Sequence, residues 1–187
     1  MAEKKSENLY FIAIIPPESL YSEALALKQH FKNQYNSQAA LNSPPHITLH
    51  MPFKWKEGKE AALINRLEMF AEKQKPFEMR LNSFRAFEPR VIFIDVIKDD
   101  ALTDLQKSLK RFCKIELNLF NADYKEFAYH PHVTLAFRDL KKPEFYKAWG
   151  ELKEKKLEAN FTVSSIALLK HDGEEWKVFR ELLLKAA

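Results

Sequence analysis

His46 and Thr48, and again His132 and Thr134, stand two residues apart inside near-identical pentapeptides, Pro45-His46-Ile47-Thr48-Leu49 and Pro131-His132-Val133-Thr134-Leu135. In an extended strand, residues i and i+2 share a face. Each imidazole therefore keeps company with a hydroxyl, while the apolar neighbours turn to the other side. A neutral imidazole can take a proton from an attacking water or hydroxyl, and a protonated one can give a proton to a leaving oxygen, because its unperturbed pKa is about 6.5. Threonine hydroxyls can donate to nonbridging phosphate oxygens as charge grows on them. Two such pairs directed at one point suit cleavage or transfer at a phosphodiester without a metal. A 2′,3′-cyclic phosphate is an attractive substrate, since its ring is strained and its leaving oxygen stays nearby. Run backwards with a ribose hydroxyl as nucleophile, the same steps would join ends. A single His-x-Thr would read as an ordinary half-buried strand histidine; its recurrence within a five-residue echo points to chemistry.

The elements around the two motifs repeat as well. Apolar residues 9–15, ended by Pro16-Pro17, predict a buried strand. A helix over 18–35 follows, with Leu20, Ala24, Leu27, Phe31 and Tyr35 inward. After a polar loop come the first motif strand, a helix near 59–74 and an alternating strand from Phe77. The second half runs in the same order: a strand over 91–97, a helix over 101–116 with Asp100 as N-cap, the second motif strand over 132–137, and a helix from Pro143. Strands over 161–170 and 176–183 close it, joined by an Asp172-Gly173 turn. The two motifs lie 86 residues apart, and the same offset carries the strand at Phe77 onto Val163. An internal duplication explains this. The expected fold is α+β and bilobal. Two antiparallel β-sheets would face a central groove with helices outside, in one domain of two pseudo-symmetric lobes (9–88 and 91–184).

Composition narrows the alternatives. The chain has 187 residues, 46% hydrophobic and 30% charged, which excludes a disordered or collagen-like class. Its three glycines, Gly58, Gly150 and Gly173, lie far apart, so no glycine loop can cradle a phosphate or a dinucleotide. A net charge of +4 is compatible with an anionic partner and is by itself weak evidence for one. The lone Cys113 cannot form an intramolecular disulfide, which fits a reducing compartment. The 9–15 run is too short to span a bilayer or to serve as a signal core. A cytoplasmic monomer with no membrane association is the expectation.

The paired motifs resemble those of the two-histidine (2H) phosphoesterase superfamily, which includes the bacterial 2′-5′ RNA ligase and cyclic phosphodiesterase group; the likeness runs from Leu9 to about Leu183. It implies a bilobal fold and metal-free, cofactor-free chemistry. It also implies His46 and His132 as the acid/base pair, Thr48 and Thr134 as phosphate ligands, and RNA ends or nucleotides with a 2′,3′-cyclic phosphate or a 2′-5′ linkage as substrates. Several relatives carry a basic residue directly after the second motif core, where this chain has Phe137, with Arg138 one place on. Aromatic residues on first strands often flank the groove in that family, making Phe11 and Phe93 candidates to stack on a base. Lys170 is a candidate phosphate-facing cation. The loop over 118–131, with Tyr124, Phe127 and Tyr129, is expected to border the site.

Two other readings compete. Strand parity adds His50 to the face of His46, and His130 lies near His132; four histidines in one groove would suit a metal-dependent phosphohydrolase. Neither extra histidine recurs in the other copy, where Ala136 and Pro44 stand. The third reading is a protein that binds RNA ends or nucleotides without turnover; both motifs being intact argues against it.

Overall fold

The computed structural model describes residues 7–120 and 128–186; Tyr124 and Phe127 lie outside them. The elements follow the order β1 (Glu7–Ile14), α1 (Glu18–Tyr35), β2 (Ile47–Lys56), α2 (Glu60–Ala71), β3 (Phe77–Phe87), β4 (Val91–Val96), α3 (Asp100–Glu116), β5 (His132–Ala136), α4 (Lys142–Leu152), β6 (Glu158–Val163), β7 (Ser165–His171) and β8 (Trp176–Leu183). Their periodicities are those of the sequence, with local corrections. Asp99, not Asp100, caps α3, its carboxylate accepting from the Leu102 amide at 3.0 Å. In α1 Leu27 packs against the core while partly exposed, and the neighbouring Lys28 is buried more deeply, at 2% exposed.

The strands form one antiparallel sheet rather than two, in the order β6-β3-β4-β5-β2-β1-β7-β8. Two four-stranded halves would each leave an inner edge of unpaired amides and carbonyls; here those edges meet in the pair Ile47 and Val133, which joins β2 to β5. Pairing also crosses the sequence repeats. β3, from the first, pairs with β4, and β7, from the second, pairs with β1. The expected strand over 161–170 is divided at Ser164 into β6 and β7, which belong to opposite halves. One residue reaches at most about 7.6 Å between flanking Cα atoms, far less than the six strand spacings that separate these strands in the sheet order. The sheet must therefore curl.

Helices cover one face. Tyr10, Ile12, Ile14, Ile47, Leu49, Val133 and Leu135 point into a single core with Phe31 of α1, Leu67 of α2, Leu109 of α3 and Phe145 of α4. The opposite, open face carries a smaller cluster of Phe11, Ala13, Ala167 and Leu169. Among the described residues no helix is long and apolar enough to cross a membrane. Cys113 is buried in the core, which pushes its thiol up to about 12 and leaves it little thiolate to act as a nucleophile.

The segment that delivers β2 is pinned from both sides. Asp139, just past β5, accepts from the Ser37 hydroxyl at 2.7 Å and from the Gln38 and Ala39 amides at 2.9 Å each. Lys28 Nζ donates to the carbonyls of Ala40 and Ser43, both at 2.9 Å. Burial works against the Asp139 charge, yet the three hydrogen bonds outweigh it and hold the carboxyl below its usual range. Asp139→Ala should lower stability in urea unfolding at neutral pH by about 2 kcal/mol, the scale of hydrogen bonds to a charged group. Because the folded carboxyl is the stronger acid, that difference should shrink as pH falls below about 4.

Candidate functional site

The four motif side chains assemble on the open face of the sheet, around the β2–β5 junction. With Ile47 opposite Val133 in antiparallel sense, His46 lies on the side of Thr134 and Thr48 on the side of His132. All four are half-buried. At the seam between the two halves of the sheet, two neighbouring strands thus present their residues side by side.

Each imidazole is held in the same way. His46 Nδ1 lies 2.7 Å from the Pro44 carbonyl, and His132 Nδ1 lies 2.8 Å from the His130 carbonyl. A carbonyl can only accept, so Nδ1 carries the hydrogen in both rings and Nε2 is left for chemistry. Each ring also rests on a buried phenylalanine of the adjoining strand: Phe11 at 4.8 Å from His46, Phe93 at 4.9 Å from His132. At 4% and 1% exposed, Phe11 and Phe93 form the floor beneath the imidazoles and offer no face to a base.

The electrostatics differ between the two. Burial pushes His46 down to about 4; the Pro44 hydrogen bond opposes this, and the neighbouring Lys28 and His132 add to it. His132 is lowered too, by burial first; the His130 hydrogen bond and the Asp95 charge pull the other way, while the charge of the His130 ring adds to the lowering. Part of each ring reaches the open face, but the crowding around it disfavours the charged form.

Other candidates are placed differently. β1 and β2 slip register between Ala13–Thr48 and Ile12–His50, and this bulge turns His50 away from His46. His50 is fully buried on the core side, edge-on to Phe53 at 5.5 Å. Among the described residues no three His, Cys, Asp or Glu side chains converge as a metal-holding group, so the four-histidine cluster is not formed. Lys170 sits opposite Tyr10 on the helix-covered side, 2.7 Å from Glu60 and over the Phe179 ring, and does not face the motifs. Arg138 lies past the end of β5 in a left-handed conformation (φ 63°), its guanidinium over the Phe137 ring. Tyr129 bridges the halves: its hydroxyl donates to the Thr48 carbonyl at 3.0 Å, and burial raises its pKa. His130 is at the site, its Nε2 3.1 Å from Asp95 Oδ1.

Sequence reasoning missed Asp95, Arg85 and Lys28. Asp95 pairs with His132 in register and is 8% exposed; Arg85 Nε lies 3.2 Å from its other oxygen. The signal for Asp95 was a lone charge within Val-Ile-Phe-Ile-Asp-Val, and for Lys28 a lysine on the apolar stripe between Ala24 and Phe31.

Comparison with known proteins agrees with this architecture. The family model described as "2′-5′ RNA ligase superfamily" matches residues 16–175. OB1230 of Oceanobacillus iheyensis is 28% identical over 94% of this chain and 97% of its own; GK0864 of Geobacillus kaustophilus is 29% identical over 94% and 95%. Both are phosphoesterases by name only. Among solved structures, TT0787 of Thermus thermophilus superimposes with a TM-score of 0.68 at 19% identity, covering 96% of this chain and 98% of the other. Escherichia coli LigT, crystallised with 3′-AMP, gives 0.63 at 17% identity, covering 97% and 100%.

The histidine environments predict a pH response. In nuclear magnetic resonance titrations His46 should keep its neutral form down to about pH 4. The unfolded chain, with imidazoles near 6.5, binds protons that the folded chain refuses. Stability from urea unfolding should therefore fall as pH drops from about 6.5 towards 4, and a His46→Phe variant should lose part of that slope.

Proposed function

The chain belongs to the 2′-5′ RNA ligase superfamily, and from that premise we propose that it is a phosphodiesterase that opens 2′,3′-cyclic phosphates at nucleotide or RNA ends, with His46 and His132 as the acid/base pair. The observation that carries this reading is the matched pair of imidazoles. Both have Nδ1 committed to a carbonyl and Nε2 left over, on one face with two threonine hydroxyls. One Nε2 accepts the proton of the attacking water as its oxygen bonds to phosphorus. The other, protonated, delivers a proton to the ribose oxygen as the P–O bond breaks. Thr48 and Thr134 donate to the nonbridging oxygens, which gain charge in the transition state. When a ribose 5′-hydroxyl replaces water as the nucleophile, its oxygen bonds to phosphorus as the P–O3′ bond breaks, and the same pair leaves a 2′-5′ linkage; microscopic reversibility gives cleavage of that linkage back to the cyclic phosphate. The LigT structure with 3′-AMP supports a nucleotide as the bound species, and the net charge of +4 favours an anion.

Product analysis on 2′,3′-cyclic nucleotides and cyclic-ended RNAs is the direct test. Ring opening is expected with the wild type and should survive exhaustive chelation; loss on chelation with recovery on added zinc would favour the metal-dependent reading. His46→Ala and His132→Ala should each lower kcat by about 10²–10⁴-fold, the worth of a positioned acid or base. Thr48→Val and Thr134→Val should cost less. Tight binding of a cyclic nucleotide with no opening would leave the binding-protein reading in place.

A further inference from the structure

The two halves of the site repeat each other in backbone and differ in charge. On the His132 side, Asp95 follows the supporting Phe93 by two residues, Arg85 pairs with Phe93 across β3 and β4, and His130 precedes His132 by two. The matching places on the His46 side hold Ala13, Leu169 and Pro44. Asp95 is thus a largely buried carboxylate gripped at both oxygens, by Arg85 at 3.2 Å and His130 at 3.1 Å, and it faces His132 in register. His132 in turn donates to the carbonyl of His130, so the residue that holds the ring also holds the carboxylate.

On the His46 side stands Lys28, which burial pushes down to about 7 and which is therefore a cation across the lower range in which His46 titrates. Lys28 is an amine with 2% exposure, fixed by the Ala40 and Ser43 carbonyls in the segment whose next residue, Pro44, orients His46. Its charge is felt at His46. Among the described residues, the groups that bear on His132 are Asp95 on β4, Arg85 on β3, His130 just before β5 and His46 beside β2. Those that bear on His46 are Lys28 on α1 and His132 on β5, while β1 and β7 present Phe11, Ala13, Ala167 and Leu169.

We propose that Asp95 and Lys28 are positioning residues that give the two histidines opposite tasks: Asp95 keeps the proton on His132, the donor to the leaving oxygen, and Lys28 keeps Nε2 of His46 unprotonated, the acceptor from the attacking water. This rests on the acid/base reading above and adds the direction of proton flow to it. In ring opening, His46 Nε2 takes a proton from water as the water oxygen bonds to phosphorus. The bond from phosphorus to one ribose oxygen breaks, and the His132 Nε2 proton goes to that oxygen. The cycle leaves His46 protonated and His132 neutral, and exchange with solvent resets both. Burial lowers both imidazoles; beyond it, Asp95 raises His132 against the opposing charge of the His130 ring, whereas Lys28 and His132 both lower His46 and no carboxylate among the described residues offsets them.

Two measurements test this together. Histidine titration of the wild type by nuclear magnetic resonance needs no substrate and should show His132 protonating at higher pH than His46; the reverse order would overturn the proposal even if turnover is observed. The pH profile of kcat/KM on a cyclic nucleotide tests the residues. Asp95→Asn should move the high-pH limb, set by His132, down by about one pH unit, with the low-pH limb unmoved and KM little changed. Lys28→Met should move the low-pH limb, set by His46, upward and leave the other in place. An Asp95→Asn variant that lost activity uniformly, with both limbs fixed, would show a merely structural role and sink the assignment. Should Lys28→Met fail to fold, the wild-type titration order and the Asp95→Asn profile still decide. Absence of any ring opening by the wild type would instead refute the proposed activity, leaving the titration order as a separate result.

Discussion

One backbone pairing, Ile47 with Val133, is the constraint on which the site depends. It closes the inner edges of two four-stranded halves, sends both apolar side chains into the common core, and leaves their neighbours His46, Thr48, His132 and Thr134 on the open face. Because side chains alternate along a strand, a slip of one residue at this junction would invert one motif against the other, burying its imidazole and exposing its isoleucine or valine. The desolvation cost of the buried imidazole and the lost apolar burial both oppose that slip.

Around the junction, rigidity is supplied twice by the same parts. A carbonyl two residues upstream fixes each Nδ1 hydrogen, and a buried phenylalanine one strand away carries each ring. The tethers behind them are not duplicated. The first motif is delivered by a segment clamped between Asp139 and Lys28, the second by a segment in which Tyr129 reaches across to the Thr48 carbonyl and Lys98 holds the Tyr129 carbonyl. Two of these tethers, from Asp139 and Tyr129 of the second repeat, end on the first, which couples the two motifs mechanically as the sheet pairing couples them topologically.

Much of this was legible along the chain. Helical and strand periods located the elements, and the duplicated pentapeptide located the four side chains and the face they share. What failed did so for identifiable reasons. His50 obeyed strict alternation on paper, but the register slip opposite Ala13 and Ile12 placed it in the core. Lys170 was a cation on a strand of the correct half, yet its register partner Tyr10 belongs to the helix-covered side, where Glu60 neutralises it. Phe11 and Phe93 do belong to the open face but lie beneath the histidines. The single sheet, in place of two, was hidden because strand pairing partners are chosen by three-dimensional closure and leave no local mark.

The sequence by itself therefore determined the residue types of the two motifs, their pairing in strands and the repeat that brings two copies into one chain, because periods of two and 3.6 residues are local properties of the backbone. Only the tertiary structure decided that the two copies meet side by side in one curled sheet, and that β3 and β7 pair across the repeats. Tertiary structure also set one histidine beside a carboxylate and the other near a buried amine, since Asp95, Arg85 and Lys28 reach the motifs through pairing and packing between segments remote in sequence, where side-chain charge acts through space and not along the chain.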